Sequence, residues 1–137
     1  MERTDTILAT VLNMTAAFNE GDISGILCCY EPDAVVMGQP GKPLKGEVAL
    51  RAMFAEFIAM KPCFTYSGHE VVEAGDLALH ISPWRMTGAG PDGASIEQRG
   101  LSLAVLRRQE DGRWLMVIDQ PYGDALLAGC GATVTAE

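Results

Sequence analysis

The chain has 137 residues, of which 18 are acidic, 10 are basic and 48% are hydrophobic. This length and composition are typical of one globular domain with a single core. A net charge of −8 without a basic run argues against nucleic acid and anionic membranes as partners, since lysine and arginine bind phosphates. No apolar run is long enough to span a bilayer, and the N-terminal residues lack a secretory-signal pattern, so we predict a cytoplasmic protein.

Helical periodicity dominates the first sixty residues. Apolar side chains recur at the spacing of one helical face, which predicts helices over residues 5–20, 22–30 and 46–61. Tyr30 belongs to the buried stripe of the short second helix. A short strand over residues 33–37 separates the second helix from the third.

From residue 63 onwards the apolar period changes to two. Strands are predicted over residues 64–73 and 77–87, followed by a long hairpin over residues 94–123. An Asp-Gly pair forms the hairpin turn, because such turns need a residue that tolerates positive φ. Pro83 cannot donate to a ladder and therefore predicts a bulge or a sheet edge. The tail, residues 124–137, is weakly patterned, and we expect it to be mobile.

Helices followed by a run of antiparallel strands indicate an α+β fold. We predict one domain over residues 1–123, in which a curved antiparallel sheet packs on three N-terminal helices as a cone. A cone closed by helices at one end encloses a cavity, and that cavity is the expected ligand site.

Three local strings carry a resemblance to a known superfamily. They are AFNEGD over residues 17–22, EPDAV over residues 31–35 and VLRRQEDGRWLMVIDQPYG over residues 105–123. With this order of elements, the chain resembles ketosteroid isomerase, polyketide cyclases of the SnoaL type, limonene epoxide hydrolase and nuclear transport factor 2. It also resembles uncharacterised SnoaL-like bacterial proteins that end in a similar string. The resemblance implies the nuclear transport factor 2-like cone and a homodimer, but this fold carries many functions.

The ketosteroid isomerase resemblance can be followed position by position. Its tyrosine oxyanion donor corresponds to Met14, its base to Gly38 and its second oxyanion donor to Ser102. All three are replaced, so steroid isomerisation is not expected.

Limonene epoxide hydrolase and the SnoaL-type cyclases place a functional aspartate on the last strand, where this chain has Asp119. The Arg-x-Asp of the hydrolase corresponds to Pro83 and Arg85, so its full catalytic trio is absent. One carboxylate and one guanidinium remain as candidate catalytic residues.

Asp119 is the main candidate for chemistry. Apolar neighbours would raise its pKa, as a general acid or base requires near neutral pH. The alternatives are ligand binding without turnover and a structural aspartate held by Arg85 or by backbone donors. Further cavity candidates are Met14, Phe18, Tyr30, Phe54 and Ser102.

The direction of Arg85 follows from its strand. Period two places it on one face with Leu79, Ile81 and Pro83, and those apolar partners indicate the cavity face. There Arg85 would bind a carboxylate or enolate, or neutralise Asp119. A bulge at Pro83 would instead turn Arg85 to solvent.

The opposite face of the same strand carries His80, Trp84 and Met86. We predict that this outer face forms a homodimer, with Trp84 and His80 in the contact. His69 and His80 are expected at the surface or the interface, because no third ligand completes a metal site. The four cysteines lack ligand spacing as well, so neither a metal nor a cofactor is predicted.

The sequence therefore predicts a small-molecule enzyme of isomerase, cyclase or hydrolase type. Asp119 would be its general acid or base, acting on an apolar, carbonyl-bearing substrate. The alternative is a non-catalytic ligand-binding or dimerisation module. Partner binding of the transport-factor kind would require a large exposed apolar patch.

Overall fold

The computed structural model describes residues 3–130, and side chains over residues 5–127. Within the described residues the elements are α1 (Arg3–Glu20), α2 (Ile23–Leu27), β1 (Tyr30–Gln39), β2 (Lys42–Lys45), α3 (Glu47–Ala59), β3 (Cys63–Tyr66), β4 (Glu70–Ala74), β5 (Leu77–Ala89), β6 (Ser95–Arg108), β7 (Trp114–Gln120) and α4 (Ala125–Cys130). No helix in this part of the chain is long and apolar enough to cross a membrane.

The strands form one curved sheet in the order β2-β1-β7-β6-β5-β3, with β4 also paired to β5. Neighbouring strands are antiparallel except β1 and β7, which are parallel. The predicted α+β fold, a curved sheet packed against N-terminal helices, is confirmed.

The core lies between the helices and the inner face of the sheet. Phe18 of α1 meets Phe54 of α3 edge to face, with ring centroids 5.3 Å apart, and Tyr30 of β1 lies 5.6 Å from the same ring. Burying side chains of this size contributes about 2 kcal/mol each. Because three elements converge on Phe54, this ring fixes the floor of the cone.

A β-bulge in β7 decides which of its side chains face the core. Val105 of β6 pairs with Ile118, while the next residue of β6 pairs with Met116, so Val117 is an extra residue. Side chains alternate between the two faces of a strand, and one extra residue reverses the alternation beyond it. Met116 and Asp119 therefore both point inwards, although they are three residues apart, and both are buried.

Strand β5 is regular through Pro83, where a bulge or an edge was predicted, and its pairing with β6 runs without a register shift. Its other neighbour changes at this point: Ile81 pairs with β4, and Trp84 pairs with β3. Pro83 therefore lies in the gap between two partner strands, where its missing N–H disturbs neither ladder. The same gap splits the single strand predicted over residues 64–73 into β3 and β4.

The helix predicted over residues 22–30 is wrong in its second half. It ends at Leu27, and Tyr30 is instead the first residue of β1. Lys42–Lys45 forms the edge strand β2, which tolerates Pro43 because an edge strand has one unpaired side. In the tail, the structure has the short helix α4, and residues 131–137 lie outside the described residues.

Gly100 shows how closely the inner face is packed. It lies opposite Trp84 in the β5–β6 ladder, and a Cβ atom added to it would lie 2.7 Å from the indole ring and 2.8 Å from the Pro121 carbonyl oxygen. Glycine within a strand commonly marks such a close approach. Gly100 thus allows the indole ring to lie across β6.

We predict that Gly100→Ala destabilises the fold by about 2 kcal/mol, the usual cost of overpacking a core. The matched control is Gly68→Ala, because the added Cβ at Gly68 would meet no atom within 4 Å. Urea unfolding followed by circular dichroism gives both values. Equal stabilities for the two variants would contradict this packing.

Candidate functional site

A cavity opens between helices α1 and α3 and the inner face of the sheet. Its volume is about 70 Å³. Its walls are mainly apolar and aromatic, and no basic side chain of the described residues lines it. The lining residues are Met14, Thr15, Phe18, Val36, Met37, Met53, Phe54, Phe57, Phe64, Tyr66, Trp84, Ser102, Asp119, Pro121 and Tyr122.

Asp119 is the acidic residue of this cavity. The bulge at Val117 turns it inwards, between Val36 of β1 and Ala104 of β6 in the sheet register, and only 8% of it is exposed. Burial away from water disfavours the charged carboxylate and raises the pKa of Asp119 to about 6. The carboxyl group can therefore both give and take a proton near neutral pH, as acid–base catalysis requires.

Tyr30 holds the Asp119 carboxyl in place. Its hydroxyl donates to Asp119 Oδ2 over 2.5 Å and lies 3.1 Å from the Met14 sulfur. This hydrogen bond stabilises the carboxylate and partly opposes the effect of burial on its pKa. Burial and the nearby Asp119 charge raise the pKa of Tyr30 well above its usual value, so Tyr30 remains a proton donor.

A second polar pair lies in the cavity wall. The hydroxyl groups of Tyr66 on β3 and Thr15 on α1 are 2.7 Å apart. Burial raises the pKa of Tyr66 to about 12, so its phenol stays neutral. Behind Tyr66, His69 Nδ1 and His80 Nε2 lie 2.9 Å apart.

The structure brings most of the predicted site residues together. Met14, Phe18, Phe54, Ser102 and Asp119 line the cavity, and Tyr30 lies directly behind Asp119. Their roles remain predictions.

Arg85 is outside this group, and its predicted position in the cavity is wrong. Its side chain is 55% exposed and forms an ion pair with Glu97 across the outer face of the sheet. The period-two argument did place Arg85 on one face with Leu79 and Ile81, but that face is the outer one. Arg85 therefore cannot neutralise Asp119 from within the cavity.

The opposite assignment, with Trp84 and His80 on the outer face, is wrong for the same reason. Trp84, His80 and Met86 are all buried, on the inner face of β5. The Trp84 indole donates to the Pro121 carbonyl oxygen over 2.8 Å. Burial and its neighbour His69 lower the pKa of His80 to about 4, so it is neutral at physiological pH.

Metal and thiol chemistry find little support in the described residues. They contain no group of three histidine, cysteine or acidic side chains that could hold a metal ion. Burial raises the pKa of Cys29 to about 11, which keeps it a thiol.

Sequence reasoning missed Thr15, Tyr66, Trp84 and Tyr122 as cavity residues. Gly100 could have indicated Trp84, because a glycine inside a strand allows a large side chain to pass over it. Tyr66 had no comparable signal, because it ends a short strand whose boundaries depend on the neighbouring strands.

Comparison with known proteins identifies the family of the chain and shows which solved structures share its fold. The model of the SnoaL-like domain family matches residues 11–117. None of the curated proteins compared with the chain matches it.

Solved structures share the architecture at low sequence identity. A ketosteroid isomerase-like protein from Erwinia carotovora is 24% identical, with a TM-score of 0.77 over 87% of this chain and 94% of that one. A candidate dehydratase of the nuclear transport factor 2-like family from Streptomyces avermitilis is 17% identical, with a TM-score of 0.75 over 85% and 93% of the two chains. At these identities the similarity establishes the fold alone.

We predict that Tyr30→Phe raises the pKa of Asp119 above its wild-type value of about 6, because the hydrogen bond that favours the carboxylate is lost. Carboxyl ¹³C NMR titration measures this pKa directly. Tyr122→Phe is the matched control, since the Tyr122 hydroxyl donates to the Gly38 carbonyl oxygen instead. An unchanged or lower pKa in Tyr30→Phe would contradict the role given to Tyr30.

Proposed function

The chain belongs to the SnoaL-like family, and from this membership and the geometry of the cavity we propose an enzyme that moves a proton on an apolar, carbonyl-bearing small molecule. Asp119 is its general acid or base. The observation that carries the proposal is a carboxyl group buried in an apolar cavity, where removal from water raises the pKa of Asp119 to about 6. The reaction would be of the isomerase, cyclase or hydrolase type.

The shape and charge of the cavity support this substrate class. Its walls are lined by Phe18, Phe54 and Phe57, which favour a flat apolar body. Within the part of the chain that the structure describes, no basic side chain lines it, so an anionic substrate would find no counter-charge there beside Asp119. A neutral molecule with a weakly acidic C–H bond fits these surroundings.

The two oxygens of Asp119 have different surroundings, which suits proton transfer. Oδ2 accepts the Tyr30 hydrogen bond, and no described residue donates to Oδ1. Among the described residues, no fully buried side-chain oxygen lacks a hydrogen-bond partner, so Oδ1 keeps some exposed surface, and the cavity that Asp119 lines is where it is reached. Oδ1 is therefore the atom that would take or give the proton.

An assay that does not require the natural substrate tests this proposal. Wild-type protein is expected to accelerate hydrogen–deuterium exchange at the α-carbon of apolar cyclic ketones such as 1-indanone, followed by ¹H NMR in D₂O. The rate should rise with pH and level off above pH ~6, because the carboxylate is the base and the acid form is inactive. Asp119→Asn should lower the rate by about 10²–10⁴-fold.

Asp33→Asn is the matched control, because Asp33 is exposed on β1. It should exchange like wild type. Equal rates for Asp119→Asn and wild type would refute the proposal. Ketone binding without exchange would favour the alternative, a ligand-binding protein without turnover.

We also propose that the chain forms a homodimer through the outer face of the sheet. The residues that support this differ from those predicted, because His80 and Trp84 face inwards. The sheet register aligns one apolar row across five strands, with Val72 53% and Ile118 45% exposed. In order, the row consists of Val72, Leu79, Val105, Ile118 and Val35.

An apolar sheet face of this kind suits a two-fold contact, in which the same surface serves both partners. Ile81 and Leu103, paired on neighbouring strands, extend the row into a patch. Patches of this kind on a protein surface commonly mark association sites.

We predict that wild type sediments with twice the chain mass of 14.6 kDa, and that Val105→Glu at the centre of the row sediments with the single mass. The added charge would be buried unpaired in the contact. Val48→Glu is the control, because Val48 is 86% exposed on α3, away from the sheet. Val72→Glu, at the end of the row, serves if Val105→Glu does not fold. A monomeric wild type, or dimeric forms of both row variants, would contradict the proposal.

A further inference from the structure

The hydrogen atoms in the cavity wall can be assigned one by one. Thr15 Oγ1 lies 3.0 Å from the Val11 carbonyl oxygen, to which it donates. A hydroxyl group has a single hydrogen, so Thr15 can only accept in its 2.7 Å contact with Tyr66. The Tyr66 hydrogen therefore points at Thr15, and a lone pair of Tyr66 is left for the cavity.

Two other donors in the wall are also committed to protein acceptors. The Trp84 indole N–H donates to the Pro121 carbonyl oxygen over 2.8 Å. The Tyr122 hydroxyl donates to the Gly38 carbonyl oxygen over 3.2 Å. Neither hydrogen is available to a ligand without breaking a bond within the protein.

Two groups in the cavity wall remain available to hydrogen-bond a ligand. Oδ1 of Asp119 faces the cavity as an acceptor whenever the carboxyl is ionised. Ser102 is the lining hydroxyl for which the described residues supply no hydrogen-bond partner. Asp119 pairs with Ala104 of β6, and Ser102 lies two residues before Ala104 on the same strand. Ser102 and Asp119 are therefore both on the inner face and within reach of one ligand. The cavity thus offers mostly acceptors and one free hydroxyl donor.

From this balance we infer that the natural ligand is an apolar molecule with a hydroxyl group, an alcohol or a phenol, which donates its hydrogen to Oδ1 of Asp119. A carbonyl group on the same molecule would accept from Ser102. The inference rests on the proposed function in taking the same cavity as the ligand site, and it narrows the substrate class from carbonyl compounds to carbonyl compounds that also carry a hydroxyl group. A ketone without a hydroxyl leaves the carboxylate unpaired and is the poorer ligand.

The preference depends on the ionisation of Asp119. Once protonated, the carboxyl can donate to a ketone, so the advantage of an alcohol falls as the pH falls below ~6. The titratable groups around Asp119 are Tyr30, Tyr66 and Tyr122, and burial raises the pKa of each above its usual value. They stay neutral at pH 4.5 and at pH 8. Of the two histidines behind Tyr66, His80 has a pKa of about 4 and is largely neutral at both pH values.

Three ligands with one carbon skeleton test the inference: 1-indanol, 1-indanone and indane. Isothermal titration calorimetry on the full chain gives each dissociation constant at pH 8 and pH 4.5. At pH 8 we expect 1-indanol to bind about tenfold more tightly than 1-indanone, a typical effect of one hydrogen bond to a charged group. At pH 4.5 this ratio should fall to near one or reverse.

Two variants assign the effect to Asp119. Asp119→Asn places an amide, which can donate at any pH, next to the cavity, so the tenfold preference at pH 8 should disappear. Asp33→Asn should keep the wild-type preference at both pH values, because it makes the same chemical change on the surface. His69→Gln replaces the second histidine behind Tyr66 and should also keep the wild-type ratios.

The remaining outcomes would overturn the inference alone or together with the proposed function. Equal binding of 1-indanol and 1-indanone at pH 8, with Asp119 titrating near pH 6, would overturn the inference and leave the proposed function standing. A pH-independent alcohol preference that Asp119→Asn retains would overturn it too. If none of the three compounds binds at its solubility limit, the cavity is not a site for such ligands, and both proposals fail.

Discussion

One extra residue in β7, Val117, determines the character of the cavity. Without it, the regular alternation of the strand would turn Asp119 to the outer face with Leu115. The bulge reverses the alternation, so the strand buries Met116 and then Asp119 on the same side. Bulges often redirect a side chain next to a functional site, and here the redirected side chain is the acidic group of the cavity.

Once Asp119 points inwards, two opposing effects set its chemistry. Removal from water raises its pKa, and the hydrogen bond from Tyr30 lowers it, with burial the larger of the two. A cation beside it would have reversed this outcome, but Arg85 pairs with Glu97 on the outside of the sheet. Because Arg85 and Asp119 lie on opposite faces of the sheet, the Asp119 carboxyl group has no cation beside it and can exchange a proton near neutral pH.

The sequence supports the fold better than the details of the site. Helical periodicity and the Asp-Gly hairpin indicated the α+β fold, and helical spacing placed Phe18 and Phe54 on inward helix faces. Met14 was named from the family resemblance instead. The two faces of β5 were exchanged for a physical reason. Leu79 and Ile81 made the outer face as apolar as the inner one, so period two could not distinguish core from surface.

Two further features were beyond local pattern. The bulge at Val117 is a property of the pairing between two strands, and no residue at that position indicates it. Tyr30 was assigned to a helix, because one short turn of helix and the start of a strand share apolar residues. Both features concern Asp119: the bulge turns it inwards, and Tyr30, predicted as a cavity residue but on a helix, donates to it from β1.

The most direct test of this account is the pKa of Asp119 in the wild-type protein, from a carboxyl ¹³C NMR titration assigned with Asp119→Asn. The account predicts a midpoint of about 6, the value for a carboxyl group buried in an apolar cavity and held by one tyrosine. A midpoint at or below ~3.9, the value of an unperturbed aspartate, would mean a solvated or ion-paired side chain. That result would contradict the inward direction of Asp119 and the chemistry proposed for it.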